Sequence, residues 1–100
     1  MKVRELKKDV KVLFSHIIGD GLLLADIKND EKITAEVDKM LHDAIAKRDD
    51  FITRINHPEL RAKGESIKQY YNKIREEVTD YFNNFYETLA KYIEETTEAK

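Results

Sequence analysis

Histidines and neighbouring carboxylates are the residues of this chain whose types could do chemistry, as metal ligands or as general acids and bases. His16, His42 and His57 are far apart, and none belongs to an H-x-x-x-H, H-E-x-x-H or E-x-x-H pattern. Asp38 and His42 are four residues apart and share one face of a helix. A closed metal site usually gathers four ligands, so this pair reads as an exposed contact between helix neighbours. Asp49-Asp50, Glu76-Glu77 and Glu94-Glu95 are adjacent in sequence, but adjacent residues on a helix point about 100° apart. Acid and base roles need carboxyls that converge in one cleft with contrasting surroundings. Ser15 and Ser66 stand outside any nucleophile-elbow pattern. Gly19-Asp20-Gly21 is too short to cradle a phosphate and lacks a Gly-Lys-Ser/Thr ending. With no Cys, thiolate catalysis, disulfides and Cys-based zinc sites are excluded. The inventory predicts a protein that is not an enzyme, with no catalytic residue, cofactor or metal.

What remains is the chemistry of binding. From Arg54 to Arg75 the chain carries Arg54, Arg61, Lys63, Lys68, Lys73 and Arg75 against Glu59 and Glu65. This stretch also holds Tyr70 and Tyr71, which could stack on bases if they were exposed. Arg61, Lys63, Lys68 and Lys73 are therefore candidate contacts to a polyanion such as RNA or DNA. Against that, the chain as a whole has a formal charge of −2 and no helix-turn-helix spacing. From Glu76 to Glu98 the balance reverses, with Glu76, Glu77, Asp80, Glu87, Glu94, Glu95 and Glu98 against Lys91. Basic first and acidic last runs against the helix dipole. It would be complementary between two copies of the segment lying antiparallel.

Those charges belong to an element defined by its aromatics. Ile67, Tyr70/Tyr71, Ile74, Val78, Tyr81/Phe82, Phe85, Leu89 and Tyr92/Ile93 recur at alternating steps of three and four, the signature of one helical face. Gly64 precedes it, and Ser66-Ile67-Lys68-Gln69 fits the S-x-x-Q capping box, so a helix is predicted over about 67–96. Upstream, Asp30 reads as an N-cap to a helix over 31–56. Its buried stripe is Ile33, Val37, Met40/Leu41, Ala44/Ile45, Phe51/Ile52 and Ile55, interrupted by Arg48. Pro58 ends that helix. The first helix, about 2–18, carries Val3, Leu6, Val10, Leu13 and Ile17 beneath a basic outer face, with Phe14 and Ile18 widening the stripe. Two glycines in Gly19-Asp20-Gly21 predict its end, and Leu22–Ala25 then reads as a short helical turn capping the bundle.

One hundred residues make one domain, residues 1–100. A chain of that size buries roughly 65% of its unfolded surface, enough for one modest core. Three glycines and one proline favour long helices over strands and turns. The predicted architecture is all-α, an up-down-up three-helix bundle with a long C-terminal helix. No apolar stretch reaches the length of a spanning helix and no secretory signal is evident, so the expected compartment is cytoplasmic. The basic first helix could lie on an anionic membrane, but removing it would strip the core, so membrane binding is disfavoured. No family pattern is carried by these residues. In particular, the Trp-x-Gly turn of small secreted helical hairpins is absent, since the chain has no Trp.

The function expected from the sequence is a non-enzymatic protein–protein interaction module. Its third helix looks longer than the first can cover, and its aromatics fill two adjacent stripes. Tyr71, Tyr81, Phe85, Tyr86 and Tyr92 are therefore the expected interface anchors. Glu94 and Glu95 would face the basic half of a second copy in an antiparallel homodimer. A nucleic-acid-binding domain is the alternative.

Overall fold

The computed structural model describes the backbone of residues 3–98 and the side chains of 3–94. Three helices cross its length: α1 over Val3–Lys28, α2 over Glu31–Asn56 and α3 over Ile67–Glu98. They run up, down and up in a bundle of 55 × 19 × 17 Å, with no strand among the described residues. The all-α three-helix architecture is therefore as the sequence implies.

Local signals account for most of the boundaries. The Asp30 carboxylate accepts the amides of Lys32 and Ile33 at 2.9 and 3.1 Å, capping α2. At α3 the capping box closes in both directions. The Gln69 amide donates to Ser66 Oγ at 3.1 Å, and the Ser66 amide donates to Gln69 Oε1 at 2.9 Å. Between α2 and α3 a 3-10 turn spans Pro58–Leu60, and Gly64 takes a φ of 84°, where a side chain would be strained. The two-residue α1–α2 connection works through Asn29, whose φ of 46° is one that Asn tolerates better than most residues.

α1 departs from expectation. It does not stop near residue 18, and the leucine run is not a separate capping turn. The helix passes through Gly19-Asp20-Gly21 and continues to Lys28. The reason is tertiary. Gly21 is buried, and a Cβ there would stand 2.8 Å from Leu41 Cδ2 and 3.5 Å from Val37 Cγ1. The residue that weakens the isolated helix is thus the one that lets α1 meet α2 closely. Continuing the helix also buries Leu24, worth about 1.5–3 kcal/mol against a penalty of about 1 kcal/mol per glycine. α1 and α2 are equally long at 26 residues, against 32 for α3, so most of the expected length mismatch disappears.

One core results. Leu6, Val10, Phe14, Ile17 and Leu24 face Val37, Leu41, Ala44, Phe51 and Ile55. α3 lies across that seam with Tyr70, Tyr71, Ile74, Val78, Phe85 and Leu89. At the centre, Phe14 packs against Phe51 at 6.0 Å between ring centroids and against Tyr81 at 5.5 Å. Gly19, by contrast, has open space where a Cβ would go. Gly19→Ala should therefore raise stability by about 0.5–1 kcal/mol through helix propensity alone. Gly21→Val should lower it by about 1–3 kcal/mol by prising the hairpin apart. Urea unfolding followed by helical ellipticity separates the two. Equal effects at both glycines would remove the close-approach explanation.

Candidate interaction surfaces

The aromatic residues expected to meet a partner are largely used inside the molecule. Tyr71 and Phe85 are buried. The Tyr71 hydroxyl donates to the Ile55 carbonyl at 3.0 Å, and Tyr70 donates to the Arg54 carbonyl at 2.8 Å. Helix C-termini leave their last carbonyls short of amide partners. Tyr71 supplies a donor to Ile55, and Tyr70 adds a second donor to the Arg54 carbonyl, which also accepts the His57 amide at 3.2 Å. Tyr81 and Tyr86 are half-buried, each with its ring inward and its hydroxyl on a carboxylate. Tyr81 donates to Asp43 Oδ2 at 2.6 Å, tying α3 to α2, and Tyr86 donates to Asp20 Oδ2, tying α3 to α1. Tyr92 is half-buried against the core edge, and Glu94 is exposed. The Glu95 side chain lies outside the described residues. Tyr71 and Phe85 are thus core residues of the single chain, which sequence periodicity alone does not distinguish from an interface.

The titration of these phenols follows from their setting. Burial first, then the bond to Asp20 and its charge, push the Tyr86 phenol up to about 12. Tyr81 is raised by the same causes through Asp43, and Tyr70 is raised mainly by burial.

The histidines do not converge. His16 is exposed, His42 Nδ1 donates to the Asp38 carbonyl at 2.9 Å, and His57 Nδ1 meets Glu59 Oε1 at 2.7 Å. Among the described residues no group of three or more His, Asp or Glu could hold a metal ion. A concavity of about 600 Å³ beside α1 and α2 is lined by Lys11, Ser15, Arg48, Asp49, Ile52 and Thr53. No hydrogen bond joins Ser15 to Lys11 there.

Two surfaces stand out instead, at opposite ends. Because α1 and α3 run parallel, their basic starts lie at the same end of the bundle. Arg4, Lys8 and Lys11 on α1 and Arg61, Lys63, Lys68, Lys73 and Arg75 before and on α3 are all exposed. They do not form one face: Lys11 stands beside Arg48 and Asp49 of α2, and the α1 residue next to Arg75 is Asp9. None of these eight forms an ion pair among the described residues. Arg54, in contrast, is spent on Glu77 at 2.5 Å and Asp50 at 3.8 Å. Tyr70 and Tyr71 are buried, which removes them as stacking platforms for bases.

At the other end, a groove of about 360 Å³ runs between the C-terminal halves of α1 and α3. Leu24 and Leu89 form its floor, and Leu23, Ile27, Ala90 and Ile93 its walls, with the Asp20–Tyr86 pair at one end. Leu23 is 56% exposed and Ile27 66%. The sequence reading missed this groove because it placed Leu22–Ala25 in a cap. The apolar run itself was the available signal. Among the described residues no helix is long and apolar enough to cross a membrane.

A raised phenol pKa ties folding to its protonated form. The stability that Tyr86 adds is fully present below about pH 10, the unfolded value, and is lost as the pH rises through about 12. Tyr86→Phe should remove a late step near pH 12 from the absorbance titration at about 295 nm. The same change should weaken folding at neutral pH by about 0.5–1.5 kcal/mol. A full phenolate signal by pH 10.5 in the native protein (a value about half a unit above the free phenol) would contradict this setting. No protein-family model, curated protein or solved structure matches the chain.

Proposed function

We propose that this chain is a non-enzymatic helical module that binds a partner protein, and that it does so through the groove between the C-terminal halves of α1 and α3. One observation carries the reading: after the bundle has closed over its aromatics, Leu23 and Ile27 still stand in water along an apolar groove. Leu24 and Leu89 are covered by the fold itself, so the exposed apolar surface of the groove lies on its walls, while Leu22, Leu60 and Ile67 are exposed elsewhere. Covering what remains exposed of Leu23 and Ile27 would contribute roughly 1–2 kcal/mol each before the costs of association. Self-association through the aromatic stripe is less favoured, because two of its five expected anchors, Tyr71 and Phe85, are buried in the single chain.

A second reading, polyanion binding, is favoured by the eight unpaired cations at the opposite end. With both nearby tyrosines buried, such contact would be electrostatic and indifferent to base sequence.

Comparative affinity capture separates the two. The baits are the wild-type chain, a groove variant (Leu23→Gln with Ile27→Gln) and a basic-end variant (Lys68→Glu with Lys73→Glu). All are exposed sites, where substitutions usually change stability by less than about 0.5 kcal/mol. Proteins held by the wild type and the basic-end variant but lost from the groove variant are the expected result. Nuclease-sensitive retention that needs Lys68 and Lys73 would favour the polyanion reading. Retention unchanged by either pair of substitutions would sink both.

A further inference from the structure

We infer that the occupant of the α1–α3 groove is a cationic amphipathic helix, an inference that rests on the groove being the docking surface. The dimensions fit a helix ridge. From Asp20 to Ile27 on α1, and from Tyr86 to Ile93 on α3, the lined stretch is eight residues, or seven steps along the helix. At 1.5 Å per residue this is about 10 Å, or two turns. A partner helix presents anchors at i, i+3 or i+4, and i+7 over the same distance.

The rim supplies the charge. On α3, Glu87 and Glu94 lie one turn before and one turn after the wall residue Ala90, on the same exposed side. On α1, Asp26 lies one turn beyond Leu23, and Asp20 stands at the groove's end. Lys91 continues the stripe of Asn84 and Thr88, which faces α2 beside Lys39 and Met40. Lys28 lies one turn beyond the floor residue Leu24, so a single cation stands at the groove's end against these four carboxylates. An apolar floor between carboxylates is complementary to a helix with leucine-like residues on one face and Lys or Arg flanking them.

The alternatives fare worse on the same charges. Pairing two grooves about a two-fold axis would bring two acidic rims, each with Asp26, Glu87 and Glu94, into one interface. The basic start of α1 cannot fill another copy's groove in the folded protein, because its ridge of Leu6, Val10 and Phe14 is buried. An anionic lipid surface would be repelled by the rim.

The test uses two synthetic helices of about 18 residues with identical leucine positions, one completed with Lys and one with Glu. Fluorescence anisotropy reads binding to the folded protein, and circular dichroism verifies that each variant keeps its helicity. The Leu/Lys peptide should bind saturably, at least about tenfold more tightly than the Leu/Glu peptide, and less tightly as salt rises. Leu23→Gln with Ile27→Gln should weaken it by about tenfold or more. Glu87→Gln with Glu94→Gln should weaken it several-fold and flatten its salt dependence, and Lys68→Glu with Lys73→Glu should leave it unchanged.

Equal affinity for the two peptides, with loss in the groove variant, would overturn the cationic partner while leaving the groove as a docking surface. Leu/Lys binding that ignores the groove substitutions, or no binding of either peptide at about 1 mM, would overturn the inference outright. So would a dimer by light scattering that dissolves in the groove variant, because the occupant would then be a second copy.

Discussion

The close approach of α1 to α2 at Gly21 is the constraint on which the rest of the bundle depends. α1 contributes no side chain there, and Leu41 of α2 fills the space a Cβ would need. Ala44, fully buried, continues the tight seam one turn along α2. Two helices leave one side of their shared seam open. The rest of the core comes from that third side, and α3 supplies it with rings. Phe14 reaches out of the seam to meet Tyr81, and Phe85 and Leu89 cover the seam further along. Narrow pairing on one side and broad aromatic packing on the other are two aspects of one arrangement.

Tyrosine serves this arrangement better than phenylalanine because each ring ends in a donor. Tyr70 and Tyr71 use it to complete the last turn of α2, and Tyr81 and Tyr86 use it to grip one aspartate on each neighbouring helix. Among the described residues no buried side-chain nitrogen or oxygen lacks a partner, so the wide aromatic face carries no hidden desolvation penalty. A face that looks too apolar for one chain to cover is in this way covered and satisfied at once.

These facts decide what was legible in the sequence. The α2 stripe, the Asp30 cap and the Ser66–Gln69 box were readable because each depends on residues within one or two turns. The passage of α1 through Gly19-Asp20-Gly21 was not, because it depends on Leu41 and Val37 of another helix. Periodicity showed that Tyr71 and Phe85 lie on an apolar face but is silent on whether that face is covered from within. The surfaces were harder still. The basic region of residues 54–75 was visible as a run, but that Arg4, Lys8 and Lys11 lie at the same end of the bundle required the parallel placement of α1 and α3. The groove likewise exists only once Leu23 and Ile27 are helical and Ala90 lies opposite them.

The same parallel placement gives the molecule a direction in an electric field. Peptide dipoles of α1 and α2, equal in length and opposed, nearly cancel, whereas the 32 residues of α3 stand unopposed. The positive pole of α3 lies beside Lys68 and Lys73, and its negative pole beside Glu87 and Glu94. Backbone and side-chain polarity therefore add instead of offsetting, and the sum acts along the 55 Å axis. Near any charged surface the rod experiences a torque that turns it end-on before contact. A positively charged object meets the apolar groove first, and a negatively charged one meets the lysines. Orientation is thus selected during diffusion, before any short-range contact has formed.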